Sequence, residues 1–74
     1  MPRKSDTLVR QWDLLMNVPA HPNWRATRDP HERLVDLDHD VDIRTVQRDL
    51  ERLSAAFPLH AEERGKALHW QWMR

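Results

Sequence analysis

The chain has no cysteine and only one glycine in 74 residues. Without thiols there is no disulfide framework and no thiolate zinc site, which fits a reducing cytoplasm. No apolar run approaches the ~20 residues that a membrane span needs. The basic start "MPRKSD" is not followed by the apolar stretch of a signal peptide. Internal repeats and low-complexity segments are lacking. Net charge is lacking too, because twelve basic side chains cancel twelve acidic ones. A chain this short forms one small domain with a modest core. It offers little wall for a substrate pocket, so an enzyme is not expected and no cofactor is.

The neutral total hides an uneven spread. Between Asp29 and Asp42 there are six acids and one base, Arg33, and the other residues carry a net +5. That asymmetry keeps nucleic acid open as a partner, since the distribution of charge matters more than its sum.

Residues 1–6 read as a flexible tail and residues 7–74 as the domain. A first helix is expected over Thr7 to Asn17, capped by Ser5 or Asp6. At 100° per residue Leu8, Trp12, Leu15 and Met16 share one face, which predicts the core side. Arg10 and Asp13 lie opposite, with Val9 and Leu14 at the edges. Pro19 and Pro22 forbid continuation. "NWRAT" suits a short strand. A second helix follows in "TRDPHERL", with Thr27 or Asp29 as alternative caps.

The third helix is the clearest. Asp42 is a good N-cap, and Ile43, Val46, Leu50, Leu53 and Phe57 form one apolar stripe, predicting a helix over about 43–57. On the solvent side Arg44, Arg48 and Arg52 fall at roughly 100°, 140° and 180° from Ile43. Asp49 and Glu51 could pair with some of them. After Pro58 the period changes to two: Leu59 and Ala61 alternate with His60 and Glu62, and Leu68, Trp70 and Trp72 with His69 and Gln71. Gly65 lies between the runs, so a β-hairpin with Arg64, Gly65 and Lys66 at its tip is expected.

Three other chemistries can be weighed. Asp36, Asp38 and Asp40 match the first places of a calcium loop. Val41 stands where that loop needs glycine and Gln47 where it needs glutamate, so a polar turn is the better reading. The five histidines show no zinc spacing and read as solvated surface residues, with His60 and His69 a conceivable cross-strand pair. The tryptophans sit at core spacing rather than as base-stacking platforms.

Helix, turn, helix and basic hairpin is the layout of a winged helix-turn-helix. "VDIRTVQRDLERLS" resembles the recognition helix of the bacterial WYL-domain transcriptional regulators, and "FPLHAEERGKALHWQW" resembles their wing. The similarity runs from about Trp24 to Trp72. Asp42 replaces the family's usual serine cap, and Asp38 takes the place of the turn glycine, where aspartate tolerates the left-handed conformation. The resemblance implies a mainly α fold, three helices plus a small antiparallel sheet with a hairpin wing. It implies sequence-specific binding of duplex DNA as the reading head of a transcriptional regulator in the cytoplasm. It also implies a C-terminal ligand-sensing domain that would lie beyond this sequence, the chain being an excised domain or a free-standing relative. Arg44 and Arg48 are then expected at bases or phosphates, with Thr45 and Gln47 beside them and Arg52 at phosphate. Arg64 and Lys66 should touch the backbone or minor groove, and Arg28 a phosphate near the second helix's free N–H groups. A monomer or weak dimer is expected free in solution, with pairing as a homodimer promoted on palindromic DNA, and Val9, Leu14 and the rim of the wing are the candidate contacts. The competing reading is a protein-interaction module that uses Val9, Leu14 and the wing.

Overall fold

The structure, a computed structural model, describes residues 7–73. The expected tail over residues 1–6, with the candidate caps Ser5 and Asp6, and the terminal Arg74 lie outside the described residues. The elements in order are α1 (Thr7–Asn17), β1 (Arg25–Ala26), α2 (Arg28–Asp36), α3 (Ile43–Leu53), β2 (Leu59–Arg64) and β3 (Ala67–Trp72). Three helices therefore stand with one small antiparallel sheet of strand order β1-β3-β2. Among the described residues no helix is long and apolar enough to cross a membrane.

The hairpin follows from its period of two. Leu59 pairs with Trp72, Ala61 with Trp70 and Glu63 with Leu68, so these six share one face. Trp70, only 1% exposed, carries that face into the core beside Leu59, Leu14, Leu34, Val46 and Leu50. Its indole N–H donates to Thr27 Oγ1 at 2.9 Å, so the polar edge of a buried ring is satisfied. Arg64 pairs with Ala67, leaving Gly65 and Lys66 as the two turn residues. Gly65 has φ +67°, the left-handed conformation that lets a two-residue turn follow the strands' twist. On the other face Gln71 is buried rather than solvated. Its amide donates to the Asn23 carbonyl at 3.0 Å, a partner that strand alternation alone does not reveal.

The turn between α2 and α3 resolves the run of alternating acids. Asp38 has φ 69°, as expected for a residue standing in for glycine. The Asp42 side chain accepts the Thr45 backbone N–H at 2.8 Å and caps α3. That bond holds the Asp42 carboxyl below its usual 3.8, with the Thr45 hydroxyl and the Arg44 charge adding to the effect. Neither Thr27 nor Asp29 caps α2 as a side chain. Helix α2 begins at Arg28, which puts Asp29 in its first turn, and Thr27 spends its hydroxyl on Trp70 and on the Leu68 carbonyl.

Three expectations are corrected. Helix α1 is turned by roughly 100° from the face its apolar spacing selects. Leu8, Trp12 and Met16 are 76%, 61% and 65% exposed, while Leu14, expected at an edge, is fully buried. The reason lies in two polar contacts on the side read as solvent-facing. Arg10 meets Asp49 of α3 through two bonds, Nε to Oδ2 at 2.5 Å and Nη2 to Oδ1 at 3.3 Å. Asp13 Oδ2 lies 2.8 Å from His39 Nε2. With these pairs formed, Leu14 and Val18 are buried and Trp12 and Met16 are left outside. The second correction is His39, which is 3% exposed rather than solvated. His31 is half-buried and reaches the Val41 carbonyl at 2.9 Å, so two histidines brace the turn. The third is the end of α3, which stops at Leu53 and continues in turns to Phe57. Phe57 is 41% exposed and meets Trp72 edge-on, with ring centroids 6.3 Å apart.

Candidate nucleic-acid interface

Burial of Val46, Asp49, Leu50 and Leu53 fixes the rotation of α3. The opposite side then carries Arg44, Arg48 and Arg52, all exposed. Asp49 does not pair with them. It is 2% exposed and turned inward to Arg10. Among the described residues none of the three arginines has an ion-pair partner. The stripe is therefore a run of unspent positive charge on a helix anchored along its whole inner face.

The flank of α3 nearer the hairpin opens into a groove of about 750 Å³. Gln47 and Ile43 form its helical wall, Arg28 stands at the start of α2, and Lys66 and His69 come from the hairpin. Arg28, Gln47 and Lys66, expected at the site from sequence, are thus brought together. Thr45 is not with them. It is half-buried on the far side of α3, roughly 160° around the helix from Gln47, and its N–H is held by Asp42. Arg64 is also apart. Its guanidinium lies 5.1 Å from the centre of the Trp24 ring, and its Nε donates to Glu62 Oε1 at 3.2 Å, on the outer face of the sheet. It does not line the groove that Lys66 lines.

No family model, curated protein or solved structure matches this chain.

The geometry of the groove stands on its own. Ile43 and His69 are lining residues that motif reading passes over. Ile43 was counted with the apolar stripe, yet it is 45% exposed because it sits at the edge where α3 faces the groove rather than the core. Glu63 also lines the groove. Its place on the Leu59–Ala61 face was readable from the two-residue period, and it adds one negative charge to the hairpin wall. His60 and His69 do not pair, since His60 stands opposite Gln71 and His69 opposite Glu62. Among the described residues no group of three or more histidine, aspartate or glutamate side chains is placed to hold a metal ion.

Proposed function

We propose that this chain is a winged helix-turn-helix that binds duplex DNA in a sequence-dependent way. The observation that carries the reading is the unpaired arginine face of α3, presented by a helix whose one inward acid is neutralised from behind by Arg10. A major groove admits an α-helix, and free arginines on its leading face can form paired hydrogen bonds to guanine or reach phosphate. Arg44 and Arg48 take the centre of that contact and Arg52 a phosphate farther along. Arg28 and Lys66, on either side of the groove beside α3, suit the sugar–phosphate strands that border a major groove. Gln47, between them, suits a base edge. The order of elements, with a basic two-residue turn closing a hairpin after the third helix, supports the wing assignment. A role as the reading head of a transcriptional regulator of the WYL-domain type rests on the resemblance of "VDIRTVQRDLERLS" and the hairpin to that family.

Selection from a pool of random duplexes tests this reading. A recurring sequence should emerge, and Arg48→Ala should weaken binding to it by roughly 1–3 kcal/mol while relaxing the preference. Lys66→Ala should weaken all duplexes about equally. A protein that enriches no sequence and retains no duplex at low salt has another function. The competing protein-interaction reading loses Leu14 as a contact, because that side chain is fully buried.

A further inference from the structure

An acid stands at the leading end of α3. Asp42 is exposed, and its bond to the Thr45 backbone N–H holds the carboxylate over the end of the helix axis, near Arg44. Capping does not need the charge, because serine or asparagine caps about as well. An ionised carboxylate has roughly four acceptor sites. The Thr45 N–H and hydroxyl take at most two of them. Among the described residues no ion pair takes the rest. The cap holds the carboxyl below its usual range, so near neutral pH the group only accepts hydrogen bonds.

We infer that Asp42 is a specificity residue, the outward side of its carboxylate accepting the N4 amino group of a cytosine in the major groove. The inference rests on the duplex reading of α3 proposed above. In a helix-turn-helix the first residues of the recognition helix meet base edges, and Asp42 stands at that end. The chemistry of the groove then leaves one base. Guanine presents two acceptors, N7 and O6, and thymine the acceptor O4, all of which repel a carboxylate. Adenine offers its N6 hydrogens only beside the acceptor N7. Cytosine presents the N4 donor with no acceptor of its own next to it, and an aspartate accepting from N4 is a regular pairing.

The charge also acts against every other sequence. A carboxylate close to phosphates weakens binding wherever it finds no donor, so it sharpens preference by penalising the wrong sites.

Asp42→Ser and, separately, Asp42→Asn test the assignment, since both keep a capping oxygen. Duplexes that the parent protein selects from a random pool should carry a cytosine within about four base pairs of the position that Arg48→Ala relaxes, because the helix rises only about 9 Å from Asp42 to Arg48. In Asp42→Ser that cytosine alone should become degenerate, its preference falling from about tenfold to none. Unrelated duplexes should bind the same variant about two- to fivefold more tightly at low salt. Asp42→Asn should exchange the cytosine for adenine, which an amide contacts twice. Where one variant loses its helical circular dichroism, the other and the parent's own sites decide. A parent that enriches a sequence with no cytosine in that window overturns the assignment and leaves the duplex reading standing. So does a serine variant that keeps the parent's preferences, or one that loosens every position equally, since either would make the carboxylate a cap alone. A parent that enriches no sequence overturns the duplex reading itself, and the assignment with it.

Discussion

Removal of Asp49 should be felt strongly for a polar side chain. Its carboxylate is 2% exposed and takes both bonds from Arg10, 39 positions away in sequence. Breaking a buried pair from one side costs about 3–5 kcal/mol, because the partner charge is stranded. Arg10 retains 14% side-chain exposure, so water reaches part of the guanidinium and the lower end applies. Asp49→Ala should therefore cost about 3 kcal/mol. A domain of this length has only ~4–11 kcal/mol in hand, so the variant stands close to unfolding at ambient temperature. Replacing both partners by apolar residues of similar size, Arg10→Met with Asp49→Leu, removes the stranded charge and should return the protein to within about 1 kcal/mol of the parent. Urea denaturation followed by circular dichroism reads both, with an unchanged dependence on urea confirming that only stability has moved. Urea is preferable to guanidinium, whose salt would screen the pair. An Asp49→Ala loss under about 1 kcal/mol, or a double variant no better than the single one, would refute the argument that the single substitution strands a buried charge.

Other predictions concern the α3 cap, the hairpin turn and the groove. The Asp42 carboxyl should titrate below 3.8 when followed by carboxyl carbon NMR. Because the folded value is depressed, the stabilisation from this cap is complete above the unfolded value. It is lost as pH falls from about 4 through the folded value, and Asp42→Ala should remove that part of the acid dependence. Gly65→Ala meets no atom within 4 Å, so only its φ of +67° opposes it. The cost should be about 1 kcal/mol in thermal or urea unfolding, and a change well above 2 kcal/mol would mean that the turn is packed rather than open. Gln47 stands beside the half-exposed Ile43 at the groove, where an amide fits adenine and an apolar side chain fits the thymine methyl. Selected duplexes should carry an A·T pair at the position whose preference Gln47→Ala relaxes. A G·C pair there would reverse the assignment.

How much of this was legible in the sequence depended on whether a local period had one solution. Strand alternation from Leu59 to Trp72 placed the hairpin and its inner face, with Gln71 the exception because its cover, Asn23 and the chain around Trp24, comes from far away. The stripe of α3 was readable because Val46, Leu50 and Leu53 all agree, although Ile43 at its edge faces the groove and the helix ends before Phe57. Helix α1 offered two faces. The Leu8–Trp12–Met16 face has the greater apolar area, and local periodicity prefers it. The true face is fixed by Asp49 and His39, residues on other elements whose reach to Arg10 and Asp13 leaves no trace in the spacing of α1. At the site, side-chain type and helical angle were enough to find Arg44, Arg48 and Arg52. They were not enough to separate Arg64 from Lys66, two positions apart, since that depends on the contacts Arg64 makes with Trp24 and Glu62.

The central claim is that the unpaired cations around α3 bind the phosphates and bases of a duplex. Its most direct test is the affinity for a short labelled duplex measured at a series of salt concentrations. Phosphate contacts from Arg28, Arg44, Arg52 and Lys66 together predict a slope of log affinity on log salt of about −4, a loss of roughly two orders of magnitude between 50 and 200 mM. Replacing Arg44, Arg48 and Arg52 by alanine should flatten that slope by about two units. A slope near zero, a slope unmoved by the triple substitution, or no binding at the lowest salt would contradict the account.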